Sequence, residues 1–419
     1  MSRDVSGGVG FDDIEAARER LDDPTVVKPT PTERSTSLEA MTDAGEVHLK
    51  MEHLQWTGSF KTRGAYNKIS QDVERGVDEF VAASAGNHAQ GVALAATNCG
   101  ADATIVMPRN APQTKVDATR GYGASVELVG SDFQAAMAHA RELVEGAGTE
   151  FVHAFDDPAI VAGQGTLGVE MYEDLPSVDT VVVPIGGGGL ISGIATAFAE
   201  LRPETRVVGV QASGAATVPD SLDKGTPQTL EEVDTIADGI ATGGVSELTL
   251  SIIRRHVDEV VTVTDSEIAD AVLLLMERAK QVVEGAGAAS VAAVRSDALD
   301  VSGETVMPLL CGGNLDMTML RAVLIHALTR RKQMLRLRVR IKDRPGEMAK
   351  LSRIIADHSA NIHAVRHDRA VEDLDVGEAY LVFEVETNGA GHARNIIDAI
   401  AETHEVDVVN RIGASRQSA

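Results

Sequence analysis

Lys61 lies in the pentapeptide Gly58-Ser59-Phe60-Lys61-Thr62, and much later the chain carries four successive glycines, Gly186, Gly187, Gly188 and Gly189, followed by Leu190. A lysine that reacts with an aldehyde must spend time as the neutral amine, and an apolar wall such as Phe60 disfavours the ammonium form. The glycine run follows an apolar stretch of strand length and opens the helical pattern Ile191 to Leu201. Main-chain N–H groups without Cβ atoms can converge there on an anion at a helix N-terminus. A reactive amine and an oxyanion cradle together point to a phosphorylated aldehyde cofactor. A dinucleotide fits less well, because Ile191 or Ser192 stands where its fingerprint needs a third glycine. No Gly-Lys-Ser/Thr ending is present, which excludes the nucleoside triphosphate loop.

Three other segments could complete such a site. Ser84-Ala85-Gly86-Asn87-His88 follows the apolar run Phe80 to Ala83 and precedes the helical pattern Gly91 to Ala96. It reads as a second strand-turn-helix anion site, where Ser84, Asn87 and His88 could bind a substrate carboxylate; helix capping by Ser84 or Asn87 is the competing reading. Cys311-Gly312-Gly313-Asn314 ends the apolar run Val306 to Leu310. Alone, Cys311 reads as an inert buried thiol, but ligands of open α/β sheets collect at strand carboxyl ends. A neutral thiol beside a pyridine nitrogen would not hold it protonated. Glu284 lies between an amphipathic helix and a small-residue run, so a ligand contact and helix C-capping by Gly285 stand side by side. Of the 12 histidines only His88 falls in a motif, and no His/Cys/carboxylate cluster has metal-ligand spacing, so no metal is expected.

The elements that must position these residues follow from periodicity. From Glu79 to about Leu328, Val/Ile/Ala runs alternate with longer amphipathic segments, the pattern of parallel strands joined by crossover helices. The runs Phe80 to Ala83, Ala103 to Met107, Thr180 to Val183 and Val207 to Val210 are continuous in apolar character, so helices should cover both sheet faces. After Arg330 the pattern changes. Leu335, Leu337, Val339 and Ile341 alternate with Arg336, Arg338, Arg340 and Lys342, which is one strand with one apolar face. The turn Asp343 to Gly346 follows, then Met348, Leu351, Ile354 and Ile355 at helical spacing, with Asn361 placed near the helix end. Strands at Ile362 to Arg366, Tyr380 to Val385 and Val406 to Val409, with a helix at Ala393 to Ala401, complete a ferredoxin-like βαββαβ unit beginning near Arg331.

Length and charge narrow the class. A chain of 419 residues exceeds what one core supports, so at least two domains are expected. With 63 acidic against 38 basic residues the formal charge is -25, which repels nucleic acid and anionic membrane surfaces, so neither is an expected partner. The spread of the acidic excess suggests a surface adapted to high salt. Two cysteines, Cys99 and Cys311, make no disulfide framework and fit a reducing compartment. The first residues lack the basic flank and apolar core of a signal peptide, and the longest apolar runs fall short of the ~20 residues that span a bilayer. A soluble, cytoplasmic protein is expected.

The motifs GSFKTRGA at Gly58 to Ala65, SAGNHAQG at Ser84 to Gly91, GGGGLISG at Gly186 to Gly193, ADGIA at Ala237 to Ala241 and CGGNLD at Cys311 to Asp316 stand in one order along the chain. In that order they resemble the pyridoxal-phosphate fold type II family, most closely its threonine ammonia-lyase (threonine dehydratase) branch with serine dehydratase and serine racemase relatives. The segment after Arg331, with its DRPGE turn and Ala360-Asn361-Ile362, resembles an ACT domain, the family's amino-acid sensor. The resemblance implies an α/β, tryptophan synthase β-like, two-lobed parallel-sheet catalytic domain over 1–330, its smaller lobe about 55–155 inserted in the larger. A ferredoxin-like ACT domain over 333–411 and a tail at 412–419 would follow.

The resemblance also implies residue roles. Lys61 would carry pyridoxal 5'-phosphate covalently and take the α-proton, with Phe60 against the ring. Gly186 to Gly189 and Leu190 would hold the phosphate, Asn87 the ring hydroxyl, Cys311 the pyridine nitrogen, with Gly239 and Glu284 close by. Ser84, Ala85, Gly86, Asn87 and His88 would receive the substrate carboxylate, and Arg344, Pro345, Gly346 and Asn361 an amino-acid effector, isoleucine or valine. The implied reaction is conversion of L-threonine to 2-oxobutanoate and ammonia, and of L-serine to pyruvate, by a homo-oligomer, dimer or tetramer. Serine dehydration or racemisation is the alternative, and a sensor without turnover the reading from another class. Ala85 departs from the serine that racemases use on the opposite ring face. Gln211 replaces the glutamate through which those relatives bind a divalent cation.

Overall fold

The computed structural model describes residues 8–145 and 148–409. The tail expected at 412–419 lies outside them. The chain divides after Asp316 into two compact units, so the helix Met317–Arg330 groups with the C-terminal unit, where the sequence pattern put the boundary at 330.

In the first unit a helix, Phe11–Arg20, precedes strands β1 (Thr32–Arg34) and β2 (Glu46–Lys50). Helix α1 (Lys61–Glu74) follows, then β3 (Glu79–Ala83), helix α2 (Asn87–Cys99), β4 (Asp102–Met107), β5 (Ser125–Leu128) and β6 (Thr149–Phe151). Helix α3 (Pro158–Asp174) leads to β7 (Thr180–Pro184), α4 (Gly189–Leu201), β8 (Arg206–Ala212), β9 (Glu259–Val263), α5 (Gly285–Val294) and β10 (Thr305–Pro308). Among the described residues these strands make two sheets. The larger runs β1-β2-β10-β7-β8-β9 and is parallel except for the β1–β2 pair; the smaller runs β5-β4-β3-β6 and is parallel throughout.

The Val-rich sequence of β7 is buried along its whole length, as expected of a central parallel strand covered on both faces. Helix α3 presents its buried small residues Gly163, Gly165 and Gly168 to α1 and α4. A Cβ at Gly165 would fall 2.6 Å from Ile14 Cδ1, and one at Gly193 2.4 Å from the nitrogen of Gly165. These glycines let the helices behind the site approach backbone to backbone. Each parallel strand delivers its loop to the same end of its sheet, and the loops after β3, β7 and β10 carry the motifs singled out above.

The C-terminal unit contains the βαββαβ order: β11 (Met334–Lys342), a helix Glu347–Asp357, β12 (Asn361–Asp368), β13 (Glu378–Glu386), a helix Ala390–Ala401 and β14 (Glu405–Val408). Its antiparallel sheet runs β12-β13-β11-β14, and Leu335, Leu337, Val339 and Ile341 are buried with Leu351, Ile355, Ile396 and Ile400. Asn361 was expected near the helix end. The structure instead makes it the first residue of β12, and the left-handed position that stops the helix is Ser359, at φ 59°.

Candidate active site

Lys61 is the first residue of α1, with Phe60 as the helix N-cap. Its Nζ donates to the carbonyl of Ala154 at 3.0 Å and lies 4.9 Å from the centre of the Phe60 ring. Burial lowers its pKa to about 8, against the opposing pull of Cys311 and Glu284. The amine is thus available in its neutral form near physiological pH. Gly91 of α2 makes the approach possible, since a Cβ there would fall 3.0 Å from the Cβ of Lys61.

The glycine loop supplies what the sequence suggested. Gly188, at φ 89°, caps α4, and Gly187 to Leu190 are buried. Among the described residues the N–H groups of Gly187, Gly188, Gly189 and Leu190 have no acceptor. Buried main-chain donors are seldom left unpaired, so four in a row at the positive end of a helix mark an oxyanion site. No side chain fits at these positions: a Cβ at Gly187 would lie 2.1 Å from Phe155 Cδ1, and one at Gly188 2.9 Å from the Cβ of Thr249. Thr249 in turn donates its hydroxyl to Gly187 O at 2.9 Å and holds the loop. Phe155, Ala154 and Thr249 were not named from the sequence; they reach the site through long-range folding and carry no local signal.

The Ser84 to His88 loop differs in detail from its expected form. Ser84 Oγ accepts from Gly86 N at 3.1 Å, and Gly86, not Ser84 or Asn87, is the N-cap of α2. The imidazole of His88 was expected to meet a carboxylate. It is buried and donates from Nε2 to the carbonyl of Val152 at 2.8 Å, and burial together with Lys61 lowers its pKa to about 3. What the loop offers an anion is therefore its main chain, since the N–H groups of Ala85, Asn87 and His88 have no acceptor among the described residues. The side chain of Ala85 is a methyl and adds no proton donor of its own.

Asn87, Glu284, Cys311 and Gly239 converge. Asn87 Nδ2 donates to Glu284 Oε1 at 2.7 Å. A Cβ at Gly239 would lie 3.1 Å from the same oxygen, and one at Gly312 only 2.2 Å from it. Glu284 is the N-cap of α5, so Gly285 opens a helix, and the C-capping role considered for it does not occur. Burial raises the Glu284 pKa to about 7, with Asn87 opposing. Burial pushes the Cys311 thiol far above its usual range, so it stays neutral. Ser59 pairs with Gly312 across an isolated bridge, and its Oγ is a buried hydroxyl with no partner among the described residues. Gln211 Oε1 accepts from Thr217 N and Val218 N while its Nε2 donates to Ala215 O, a pattern that a carboxylate could not complete.

The four residues suggested for an effector do not meet within one copy. Arg344, Pro345 and Gly346 form the turn after Lys342, whereas Asn361 is level with Met334 at the other end of the sheet, each facing Glu386. At about 3.3 Å per residue the two ends lie roughly 25 Å apart.

Comparison with known proteins agrees with this geometry. Residues 24–312 match the family described as pyridoxal-phosphate dependent enzyme, and residues 335–402 match the ACT domain. An L-threonine ammonia-lyase of Thermotoga maritima is 45% identical over 406 residues, 96% of this chain and 100% of that protein. One from Geobacter sulfurreducens is 45% identical over 353 residues, 84% of this chain and 88% of that one. Among solved structures, the processed form of threonine deaminase isoform 2 from Solanum lycopersicum superposes with a TM-score of 0.70 at 36% identity, covering 77% of this chain and 96% of that one. Maize serine racemase gives 0.71 at 34% identity, covering 77% and 99%. The amine with its lowered pKa and the row of unpaired amides suit the aldehyde and the phosphate of the cofactor that the family is named for. The chain belongs to the pyridoxal-phosphate dependent enzymes and carries a C-terminal ACT domain.

Proposed function

We propose that this enzyme converts L-threonine to 2-oxobutanoate and ammonia, and L-serine to pyruvate and ammonia, as a carbon–nitrogen lyase. The observation that carries the reading is the meeting of one amine with a lowered pKa, Lys61, with unpaired amides at the N-termini of α2 and α4. When bound, pyridoxal phosphate supplies the ring that makes the substrate α-hydrogen acidic. The amides of Gly187 to Leu190 would hold its phosphate, and those of Asn87 and His88 would receive the substrate carboxylate. Lys61 would hold the cofactor and, as the neutral amine, would take the substrate α-proton. Cys311 would meet the ring nitrogen without charge, and Glu284 stands beside Asn87. Loss of the β-hydroxyl and hydrolysis of the resulting enamine return one water for the one expelled.

Ala85 disfavours racemisation, because a methyl cannot return a proton to the opposite face. Regulation by an amino acid bound to the ACT domain, isoleucine or valine, completes the proposal. A ligand held by both the Arg344 to Gly346 turn and Asn361 has to lie between two copies, which favours a homo-oligomer. Release of 2-oxoacid from L-threonine and L-serine, with a parallel assay for D-serine, tests the assignment. We expect 2-oxobutanoate and pyruvate with little D-serine; absence of 2-oxoacid from both substrates would overturn it.

A further inference from the structure

We propose that Asn314 is a positioning residue that makes Asn87 an obligate hydrogen-bond donor toward the bound cofactor, an inference that rests on the reading of this site as the pyridoxal phosphate site. The chain of amides begins at a main-chain carbonyl, Thr57 O, which can only accept. Asn314 Nδ2 donates to it at 2.6 Å, which fixes the nitrogen end of that amide. The same Nδ2 donates to Asn87 Oδ1 at 2.8 Å, which fixes the oxygen end of the next. Reversing Asn314 would set its oxygen against two others. Asn87 Nδ2 is left facing Glu284 Oε1 at 2.7 Å, and its second N–H has no acceptor among the described residues.

The direction is set from the Thr57 side, so it holds whether or not Glu284 is protonated. An acceptor bound beside Asn87, such as the ring oxygen of the cofactor, therefore always meets an N–H, and its ionised form is favoured. The fold leaves room for this chain of amides. Gly58 has φ 75°, and a Cβ on it would fall 2.6 Å from Asn314 Oδ1; one on Gly312 would fall 3.1 Å from Asn87 Nδ2. Neither volume is available to a side chain.

The test uses the full-length holoprotein with pyridoxal phosphate. Asn314→Asp keeps the size but turns an oxygen toward Asn87, whose amide must then reverse and show its own oxygen to the site. Absorbance and fluorescence of the bound cofactor report its ring ionisation, and equilibrium dialysis reports its retention. We expect an altered spectrum and about tenfold weaker retention, the scale of one hydrogen bond to a charged group. In an Asn87→Ala background, where no amide remains to be turned, the same change should alter retention by less than about twofold. Asn314→Ala, taken through the same cycle, should give a smaller shift in the same direction and serves if the half-buried aspartate prevents folding. An unchanged spectrum in both Asn314 variants, or an equal loss with and without Asn87, would overturn the proposal while leaving the site itself intact. Wild-type protein that takes up no cofactor would overturn both.

Discussion

At the scale of single residues, two ionisable groups are held away from their solution behaviour in opposite directions. Burial lowers Lys61 to about 8 and raises Glu284 to about 7, so each disfavours its own charge near neutral pH. For Glu284 the folded pKa lies above the unfolded one. Stability from the protonated carboxyl is therefore fully present below about 4.5 and is lost as pH rises through about 7. Glu284→Gln keeps an acceptor for Asn87 and cannot ionise. In cofactor-free protein, denaturant unfolding should show the variant equal to wild type near pH 4 and more stable at pH 8, by up to about 3 kcal/mol at roughly 1.4 kcal/mol per unit. Identical pH profiles for the two proteins would contradict the shift. The sequence could name Lys61, Glu284 and Cys311 because each sits in a turn or strand-end motif. It could not show that His88 spends its ring on Val152 O, since that partner lies 64 residues away.

Among elements, the unit that presents Lys61 is locked by buried charge. Arg63, one half-turn along α1, forks onto both oxygens of Glu52 at 2.7 and 3.0 Å and reaches Glu170 of α3 at 2.7 Å. Lys50, at the end of β2, meets the other Glu170 oxygen at 2.5 Å. The side chains of Lys50 and Glu52 have no exposure and that of Arg63 only 3%, so the network joins the first turn of α1 to α3 and the larger sheet. Removing Arg63 leaves Glu52 buried without its cation. Arg63→Ala should cost about 3–5 kcal/mol in urea unfolding, the usual penalty for breaking a buried ion pair. A loss below about 1 kcal/mol, the range of exposed pairs, would contradict it. The network was not legible beforehand, because Lys50, Glu52, Arg63 and Glu170 follow no common spacing. Strands were legible because their apolar runs are continuous, and the helix stop at Ser359 was missed because serine carries less turn signal than the asparagine two residues on.

For the whole molecule, the change from continuous apolar runs to alternation after Arg330 announced two kinds of sheet. The parallel sheets of the first unit and the antiparallel sheet of the second follow from it. The division after Asp316 could not be read the same way, because the helix Met317–Arg330 continues the amphipathic pattern of the helices before it. Everything proposed for catalysis depends on one amine in the first unit being the point of covalent attachment. Borohydride reduction of the full-length holoprotein, followed by peptide mass mapping, tests that most directly. The pyridoxyl mass should appear on the peptide containing Lys61; finding it on another lysine, or on none, would contradict the assignment.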